Sequence, residues 1–232
     1  MLSEQAERGG LVCHPELGED SMQNKFCFMT LGIAFLMLST FIIFASSGLA
    51  SNSPMQLIQS GTDHALEIIR SAHSGTAPSL RERRAEILKI VDEYFDFSEM
   101  AKRALGRPWK EQSPQKQQEF VELFKELLFN NYVGRVETYT GTNEQVVYDA
   151  EKVEGEYALV KTRVLNYKNT NVQLDYRLKL INGEWKVYDI VAEGVSLIDN
   201  YRGQFNSILA GKPFDALLTQ LREKVADQKG TL

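Results

Sequence analysis

The spacing of apolar residues changes twice along this chain, and those changes restrict the possible folds more than any other feature. Between residues 54 and 139, apolar side chains recur every three or four positions, which is the spacing of amphipathic helices. From 144 to 191 they alternate with polar side chains, as in half-buried strands, and from 196 onwards the helical spacing returns. Helices followed by a sheet and then by helices predict an α+β fold with separate layers.

The alternating stretch consists of four runs separated by turn residues. The runs are 144–153, 154–167, 168–181 and 182–191. The last begins with Asn182-Gly183, which is typical of a two-residue hairpin. One side of the runs is apolar and the other carries charged residues, the pattern of a sheet with one face in water. We therefore predict a curled four-stranded antiparallel sheet, with helices packed on it and an apolar pocket between the layers.

Serine residues precede the predicted helices and are expected to act as N-caps. A serine hydroxyl at a helix start accepts a hydrogen bond from a free backbone amide of the first turn. The serines in such positions are Ser53, Ser79, Ser98, Ser113 and Ser196. Gly106 and Gly141 follow two of the helical stretches and are expected to end them.

The first 50 residues differ in kind from the rest of the chain. Residues 26–45 contain no charged side chain, and small residues follow them up to Ala50, as at a signal-peptidase site. We therefore expect cleavage after Ala50 and a single mature domain of residues 51–232. The uncharged run is also close to the length of a transmembrane helix, so a retained membrane anchor is the alternative.

The extreme N-terminus does not fit a signal peptide. Residues 1–21 carry five acidic side chains and one arginine, whereas the first segment of a signal peptide is basic. The segment from Met22 to Lys25 is short and basic, as that first segment requires. We therefore expect translation to start at Met22 and the signal peptide to span residues 22–50.

The composition of residues 51–232 removes several classes of function. Both cysteines, Cys13 and Cys27, lie before the expected cleavage site, so the mature chain has no disulfide and no thiolate nucleophile. Removing residues 1–50 leaves 24 basic and 26 acidic residues, and so slight an imbalance favours no nucleic-acid partner. We expect a monomer that is held together by its own apolar core.

Sequence motifs for catalysis or metal binding are few. His64 and His73 are nine residues apart, which is not a metal-ligand spacing, and solvent-facing helical positions explain both. The sequence has no Gly-rich phosphate loop, no G-x-S-x-G motif and no H-E-x-x-H motif. We therefore expect neither a metal nor a cofactor.

The strongest candidate for catalysis is the acidic pair Asp189 and Glu193 at the end of the last predicted strand. By simple alternation Asp189 shares the parity of Val187 and is expected to face the apolar side. A buried carboxylate beside a tyrosine would suit a small proton-transfer enzyme. The alternative is a structural carboxylate that joins the strand to the next helix, with Arg202 as its expected partner. Both interpretations stay open at this stage.

Three blocks of the sequence together resemble the toluene-tolerance, or MlaC, family. They are FDFSEMAKRALGRPW at 95–109, SPQKQQEFVELFKELLFNNYVGRVETY at 113–139 and WKVYDIVAEGVSLIDNYRGQF at 185–205. The resemblance extends over about residues 54–228. It implies a nuclear-transport-factor-two-like curved sheet with helices packed on it. It also implies a deep apolar pocket that holds the acyl chains of a phospholipid.

The same resemblance implies a function and partners. The expected function is that of a non-catalytic periplasmic carrier in a Gram-negative bacterium, with phospholipid as cargo. Such a carrier exchanges lipid with an outer-membrane lipoprotein complex and an inner-membrane ABC transporter, in a pathway that maintains outer-membrane lipid asymmetry. Two other functions stay open from the residues themselves: an enzyme that uses Asp189 and a tyrosine, and an adaptor tethered to the inner membrane by residues 26–45.

The residues expected to line the pocket come from the apolar side of the sheet and from the helices. The sheet is expected to contribute Val160, Val164, Leu174, Tyr176, Leu178 and Val187. The helices are expected to contribute Phe124, Leu128, Tyr132, Tyr201 and Phe205. Three charged residues, Arg202, Lys161 and Asp189, are candidates for contact with the lipid phosphate or for a structural ion pair.

Overall fold

The computed structural model describes residues 53–71, 79–137 and 144–230. Within these ranges no helix is long and apolar enough to cross a membrane. The expected start at Met22 and the cleavage at Ala50 lie outside the described residues, as do His73 and Gly141. What the sequence predicts about them therefore stays a prediction.

Six α-helices and one 3₁₀-helix accompany the sheet in the described residues. They are α1 (Pro54–Ser71), α2 (Leu80–Tyr94), α3 (Phe97–Leu105), the 3₁₀-helix Arg107–Glu111, α4 (Pro114–Glu137), α5 (Leu197–Leu209) and α6 (Phe214–Gly230). Serine hydroxyls accept from the amide three residues later at Ser53, Ser79, Ser113 and Ser196. The prediction for Ser98 is wrong, because α3 begins one residue earlier and is capped by the Asp96 carboxylate.

The strands form one open antiparallel sheet in the order of the sequence. They are β1 (Gln145–Glu154), β2 (Tyr157–Tyr167), β3 (Thr170–Ile181), β4 (Glu184–Ala192) and β5 (Val195–Ser196). The predicted meander is confirmed, with a short fifth strand at one edge, where the residues before α5 pair with β4. Asn182 and Gly183 have positive φ angles of 52° and 86°, as the predicted two-residue hairpin requires.

Bulges curl the sheet, and the one in β4 reverses the orientation of the residues that follow it. Val187 pairs with Leu178, whereas Asp189 pairs with Arg177, so Tyr188 is an extra residue in β4. Directly paired residues lie on the same face, and consecutive residues of β3 lie on opposite faces. Asp189 therefore lies on the face opposite Val187. The prediction that it shares the apolar side with Val187 is wrong.

Two apolar clusters form against the sheet. The helical core lies among α3, α4, α5 and α6, and its buried residues are Phe97, Met100, Ala101, Ala104, Leu105, Phe120, Phe124, Leu127, Leu128, Ile198, Tyr201, Phe205, Phe214, Leu217, Leu218, Leu221 and Val225. The sheet cluster joins α1 to the apolar face, and its buried residues are Ile58, Ala158, Val160, Leu178, Trp185 and Val187. The side chain of Phe95 packs against both clusters.

The helical core packs on the polar face of the sheet, on the side opposite α1. The chain passes between the two sides at the β4 edge, where the amide of Asp96 donates to the carbonyl of Val187 at 2.9 Å. On the polar face, the Asp189 carboxylate accepts from the amide of Ile198 at the start of α5. The helices therefore lie on both faces of the sheet rather than on its apolar face alone.

Candidate functional site

Aromatic rings fill the helical core. The ring centroids of Phe120, Phe124, Tyr201 and Phe205 lie 5.2–5.8 Å apart, most of them edge to face. A cavity at this core has a volume of about 120 Å³. Sites for small-molecule ligands begin at about 300 Å³. In this conformation the helical core is therefore a packed interior rather than a binding site.

The apolar face of the sheet is continuous across the strands. Cross-strand pairing forms the rows Ala158–Leu178–Val187, Val160–Tyr176–Ile190, Thr162–Leu174–Ala192 and Val146–Val164–Val172. From Ala158 to Val164 this face extends ~20 Å at ~3.3 Å per residue. One leaflet of a bilayer has a hydrocarbon thickness of ~15 Å, half of the core. The face is therefore long enough for the acyl chains of one lipid.

Burial is uneven along this face. Ala158, Val160 and Leu178 are buried at one end, beneath α1. Val164 and Val172 are only half-buried at the other end. Covering an apolar surface that is partly in contact with water by a further apolar group lowers the free energy.

Helix α1 covers the buried part of the apolar face. Its Ile58 side chain is buried in the sheet cluster, and Met55 packs at the margin. Polar contacts hold the same helix: the amide of Met55 donates to Glu151 Oε2 at 2.6 Å, and the hydroxyls of Ser60 and Tyr94 are 2.9 Å apart. α1 therefore lies between the buried part of this face and the solvent.

Two tyrosines place hydroxyl groups beneath α1 in otherwise apolar surroundings. Burial raises the pKa of Tyr176 to about 12, and it also raises the pKa of Tyr148. Both side chains are therefore neutral at physiological pH. The Tyr148 hydroxyl forms a hydrogen bond with Thr62 of α1, so it contributes to the contact between helix and sheet.

The structure divides the predicted pocket residues between the two clusters. The six from the sheet lie on the apolar face, beneath α1 or at its half-buried end. The five from the helices, Phe124, Leu128, Tyr132, Tyr201 and Phe205, lie in or against the helical core. The eleven residues therefore do not form one wall, and their contact with a lipid stays a prediction.

The Asp189 carboxylate accepts hydrogen bonds from three donors on the polar face. Its oxygens accept from Arg177 at 2.9 Å, from the Ser196 hydroxyl at 2.6 Å and from the amide of Ile198 at 3.1 Å. The predicted contact with Arg202 is wrong, because the β4 bulge sets Asp189 directly across from Arg177. The carboxylate joins β4 to the start of α5, as the structural interpretation expected.

The other two charged candidates also lie away from the apolar face. Arg202 donates to the carbonyl of Arg103 at 2.8 Å and to Asp199 at 3.0 Å, which ties α5 to α3. Lys161 is exposed on the polar face, where it pairs across the strands with Asp175. A headgroup contact by either residue stays a prediction. Among the described residues, no group of three or more His, Cys, Asp or Glu side chains is arranged to hold a metal ion.

A second cavity, of about 250 Å³, opens on the polar face of the sheet. Its lining includes Tyr157, Tyr188 and Arg177. The Arg103 guanidinium lies over the Tyr188 ring, 4.0 Å from its centroid. This cavity was not predicted, although two tyrosines stand at strand positions among charged residues in the sequence.

The cover of the apolar face by α1 was not predicted, because the pocket residues assigned to helices lie on α4 and α5. Gly61, in the middle of α1, marks the contact of this helix with α2. A Cβ atom at this position would lie 3.0 Å from Cδ1 of Tyr94, so the absent side chain lets the Tyr94 ring pack against the α1 backbone.

This architecture defines a class of small α+β protein in which an apolar sheet face lies beneath one amphipathic helix. The particular family follows from comparison with known proteins. The chain belongs to the MlaC protein family, which matches residues 59–223. The resemblance to the toluene-tolerance family in the sequence is thereby confirmed.

Individual relatives agree with this assignment. The chain is 24% identical over 199 residues to the intermembrane phospholipid transport system binding protein MlaC of Haemophilus influenzae, covering 84% of this chain and 92% of that protein. It is 30% identical over 94 residues to the toluene tolerance protein ttg2D of Pseudomonas putida, covering 40% and 43%. A phospholipid-binding protein of Ralstonia solanacearum, solved in complex with a phospholipid, superposes with a TM-score of 0.63 at 25% identity. The match covers 75% of this chain and 97% of that one.

Proposed function

We propose that this protein binds a phospholipid and carries it between membranes without catalysing a reaction on it. The observation that carries the proposal is the continuous apolar face, ~20 Å long and covered in part by α1. A relative with the same fold is solved with a phospholipid, and the MlaC relative is named for intermembrane phospholipid transport.

The lipid site in this proposal is the apolar face of the sheet. Its lining is Val160, Val164, Leu174, Tyr176, Leu178 and Val187, as the sequence predicted. The five predicted helical residues lie in or against the packed helical core, and their contact with a lipid stays a prediction. The headgroup extends from the face into water, where it needs no buried charge.

The energetics of acyl-chain burial suit a carrier. Burying roughly 30 methylenes of two acyl chains contributes about 24 kcal/mol gross, at ~0.8 kcal/mol each. A bilayer offers nearly the same environment, so the net preference between protein and membrane is small. Near parity lets a lipid be loaded at one membrane and unloaded at another.

The location and the partners are finer parts of the same proposal. We place the protein in the periplasm after cleavage near Ala50, acting as a monomer between an inner-membrane ABC transporter complex and an outer-membrane lipoprotein complex. The uncharged run at 26–45 and the small residues after it support export. The name of the MlaC relative supports a transport system between membranes.

A carrier without a catalytic step fits the state of Asp189. A general base needs a free lone pair within reach of a substrate proton. The Asp189 carboxylate accepts three hydrogen bonds and lies on the face opposite the proposed lipid site, out of reach of a lipid there. It therefore serves the fold, and the proposal uses no catalytic residue.

Organic extraction and mass spectrometry of the exported protein test the proposal. We expect glycerophospholipid at about one molecule per chain, and uptake of labelled phospholipid from vesicles of phosphatidylethanolamine and phosphatidylglycerol. The intact mass of the same preparation gives the N-terminus, which we expect at Ser51. Absence of both co-purified phospholipid and vesicle uptake would refute the carrier.

A further inference from the structure

Helix α1 and a bound lipid compete for the same surface. Ile58 of α1 lies on the buried part of the apolar face, against residues that the proposed function assigns to the acyl chains. The cavities of about 120 and 250 Å³ lie at the helical core and on the polar face, and both are smaller than a ligand site of ordinary size. Acyl chains can occupy the part of the face that Ile58 now covers only if α1 moves away from it.

We propose that α1 is the gate of the lipid site and that Tyr94 is its latch. The inference rests on the proposed function, because it concerns how the lipid enters that site. In the closed state Ile58 and its neighbours fill the apolar face. In the loaded state α1 lies farther from the sheet, and acyl chains occupy the space it leaves.

The attachment of α1 differs from that of the other helices that pack on the sheet. It contributes one buried residue, Ile58, to the sheet cluster. By contrast, α3, α4, α5 and α6 together interlock through the many buried residues of the helical core. Displacing α1 from the sheet breaks the contacts of Ile58, Met55 and Leu57, and the acyl chains replace them with contacts of the same kind. Pro54 and Ile69 of α1 are also buried.

The contact between α1 and Tyr94 has the features of a reversible latch. The Tyr94 hydroxyl lies 2.9 Å from the Ser60 hydroxyl and 3.4 Å from Nδ1 of His64. The Tyr94 ring is buried, and it packs where Gly61 leaves the α1 backbone bare. Hydroxyl hydrogen bonds of this kind exchange readily for hydrogen bonds to water when the helix moves away.

Gly61 is the position that best distinguishes a gate from ordinary helix packing. Glycine disfavours a helix interior, so its presence in α1 needs a reason. A Cβ at Gly61 would meet the Tyr94 ring at 3.0 Å, whereas a Cβ at Gly203 of α5 would meet nothing within 4 Å. Gly61→Ala therefore disturbs the closed state, and Gly203→Ala is the matched control in another helix.

Two variants and a distance measurement test the gate. Gly61→Ala and Tyr94→Phe should each take up fluorescent phospholipid from phosphatidylethanolamine–phosphatidylglycerol vesicles about fivefold faster than the parent, the effect of losing one modest contact. Gly203→Ala should match the parent rate. Tyr94→Phe keeps the ring and removes only the hydroxyl, so it tests the latch if Gly61→Ala does not fold.

Spin labels at Glu67→Cys on α1 and Asn206→Cys on α5 report the motion directly, because both positions are exposed. Cys13 and Cys27 are removed with the leader or replaced by serine. Phospholipid loading should lengthen the distance between the labels by ~5 Å, about half a helix diameter. An unchanged distance in the loaded protein, with parent-like rates in Gly61→Ala and Tyr94→Phe, overturns the gate and leaves the carrier intact. If no variant and no parent protein takes up lipid, the proposed function itself fails.

Discussion

The helical core and the sheet cluster are both apolar, but they differ in how many helices contribute to them and in how completely they are buried. The helical core interlocks aromatic rings at centroid distances of 5.2–5.8 Å, and its buried residues come from four helices. The sheet cluster has six buried residues and grades into half-buried side chains such as Val164. A filled core fixes one arrangement of its elements, whereas a face covered by one helix can exchange that helix for a ligand.

The first prediction concerns the helical core, where the largest loss of stability is expected. Phe124 is fully buried and contacts the rings of Phe120, Tyr201 and Phe205. Phe124→Ala removes that ring and leaves a cavity that close-packed neighbours cannot fill. It should lower the free energy of unfolding by about 3–5 kcal/mol. Urea denaturation followed by circular dichroism measures the change.

The matched change on the other side of the sheet is Ile58→Ala in α1. Ile58 is also buried, but the stability it contributes cannot exceed the free energy of closing α1 over the sheet. We expect a loss smaller than half that of Phe124→Ala. Equal losses in the two variants would mean that α1 is as firmly part of the fold as the helical core.

The same contrast explains which parts of the structure the sequence could predict. Alternation and turn residues were sufficient for the four long strands and their order, because a half-buried meander imposes both on the sequence. The orientation of Asp189 was not predictable, since one extra residue at Tyr188 reverses the faces and a bulge there has no signature in the alternation. Ser196 was correctly identified as the cap of α5, because capping depends on local chemistry.

The candidate site was predicted only in part, for a related reason. The apolar stripe of a helix shows that it covers something, but not which of two apolar surfaces it covers. The apolar stripe of α4 belongs to the helical core, and that of α1 belongs to the sheet cluster. The sheet residues could be assigned to one face because strand pairing links them, whereas Phe124 and Tyr201 had no such link to that face.

The second prediction sharpens the comparison at the half-buried end of the sheet cluster. Val164→Asp introduces a carboxylate that reaches water when no lipid is bound but meets acyl chains when lipid is bound. Burying an unpaired carboxylate costs several kcal/mol, so co-purified phospholipid should fall at least ~tenfold. Mass spectrometry of the extracted lipid measures it, alongside a thermal melt that should change less than in Phe124→Ala.

The control for this change is Gln173→Asp on β3. Gln173 is exposed, and it pairs with Arg163 on the polar face rather than with the valine row. The Gln173→Asp substitution adds the same charge to the same sheet, and we expect the lipid content to stay at the parent level. Equal lipid loss in both variants would point to net charge rather than to the apolar face.

The third prediction, with the smallest expected change in stability, concerns the ion pairs between the helical core and the polar face of the sheet. Glu99 of α3 lies 2.8 Å from Arg103 and 3.6 Å from Lys179 of β3. Burial alone would raise the pKa of Glu99, but the hydrogen bond from Arg103 and the nearby positive charges outweigh burial and lower it. A carboxyl whose pKa is lower in the folded state binds more protons when unfolded. Its contribution to stability is therefore complete above the unfolded pKa of about 4.3 and is lost as the pH falls through the folded pKa.

Glu99→Gln should remove this contribution without changing the shape of the side chain. We expect it to lower the free energy of unfolding by at most about 1 kcal/mol at pH 7, because the ion pairs of Glu99 are partly exposed to solvent. The difference from the parent should shrink as the pH falls from 7 to 3, because the stabilising charge is lost as the pH falls through the folded pKa. Urea midpoints at the two pH values measure it, with the exposed Glu223→Gln of α6 as the control. A difference that persists undiminished at low pH would show that Glu99 acts through packing rather than through its charge.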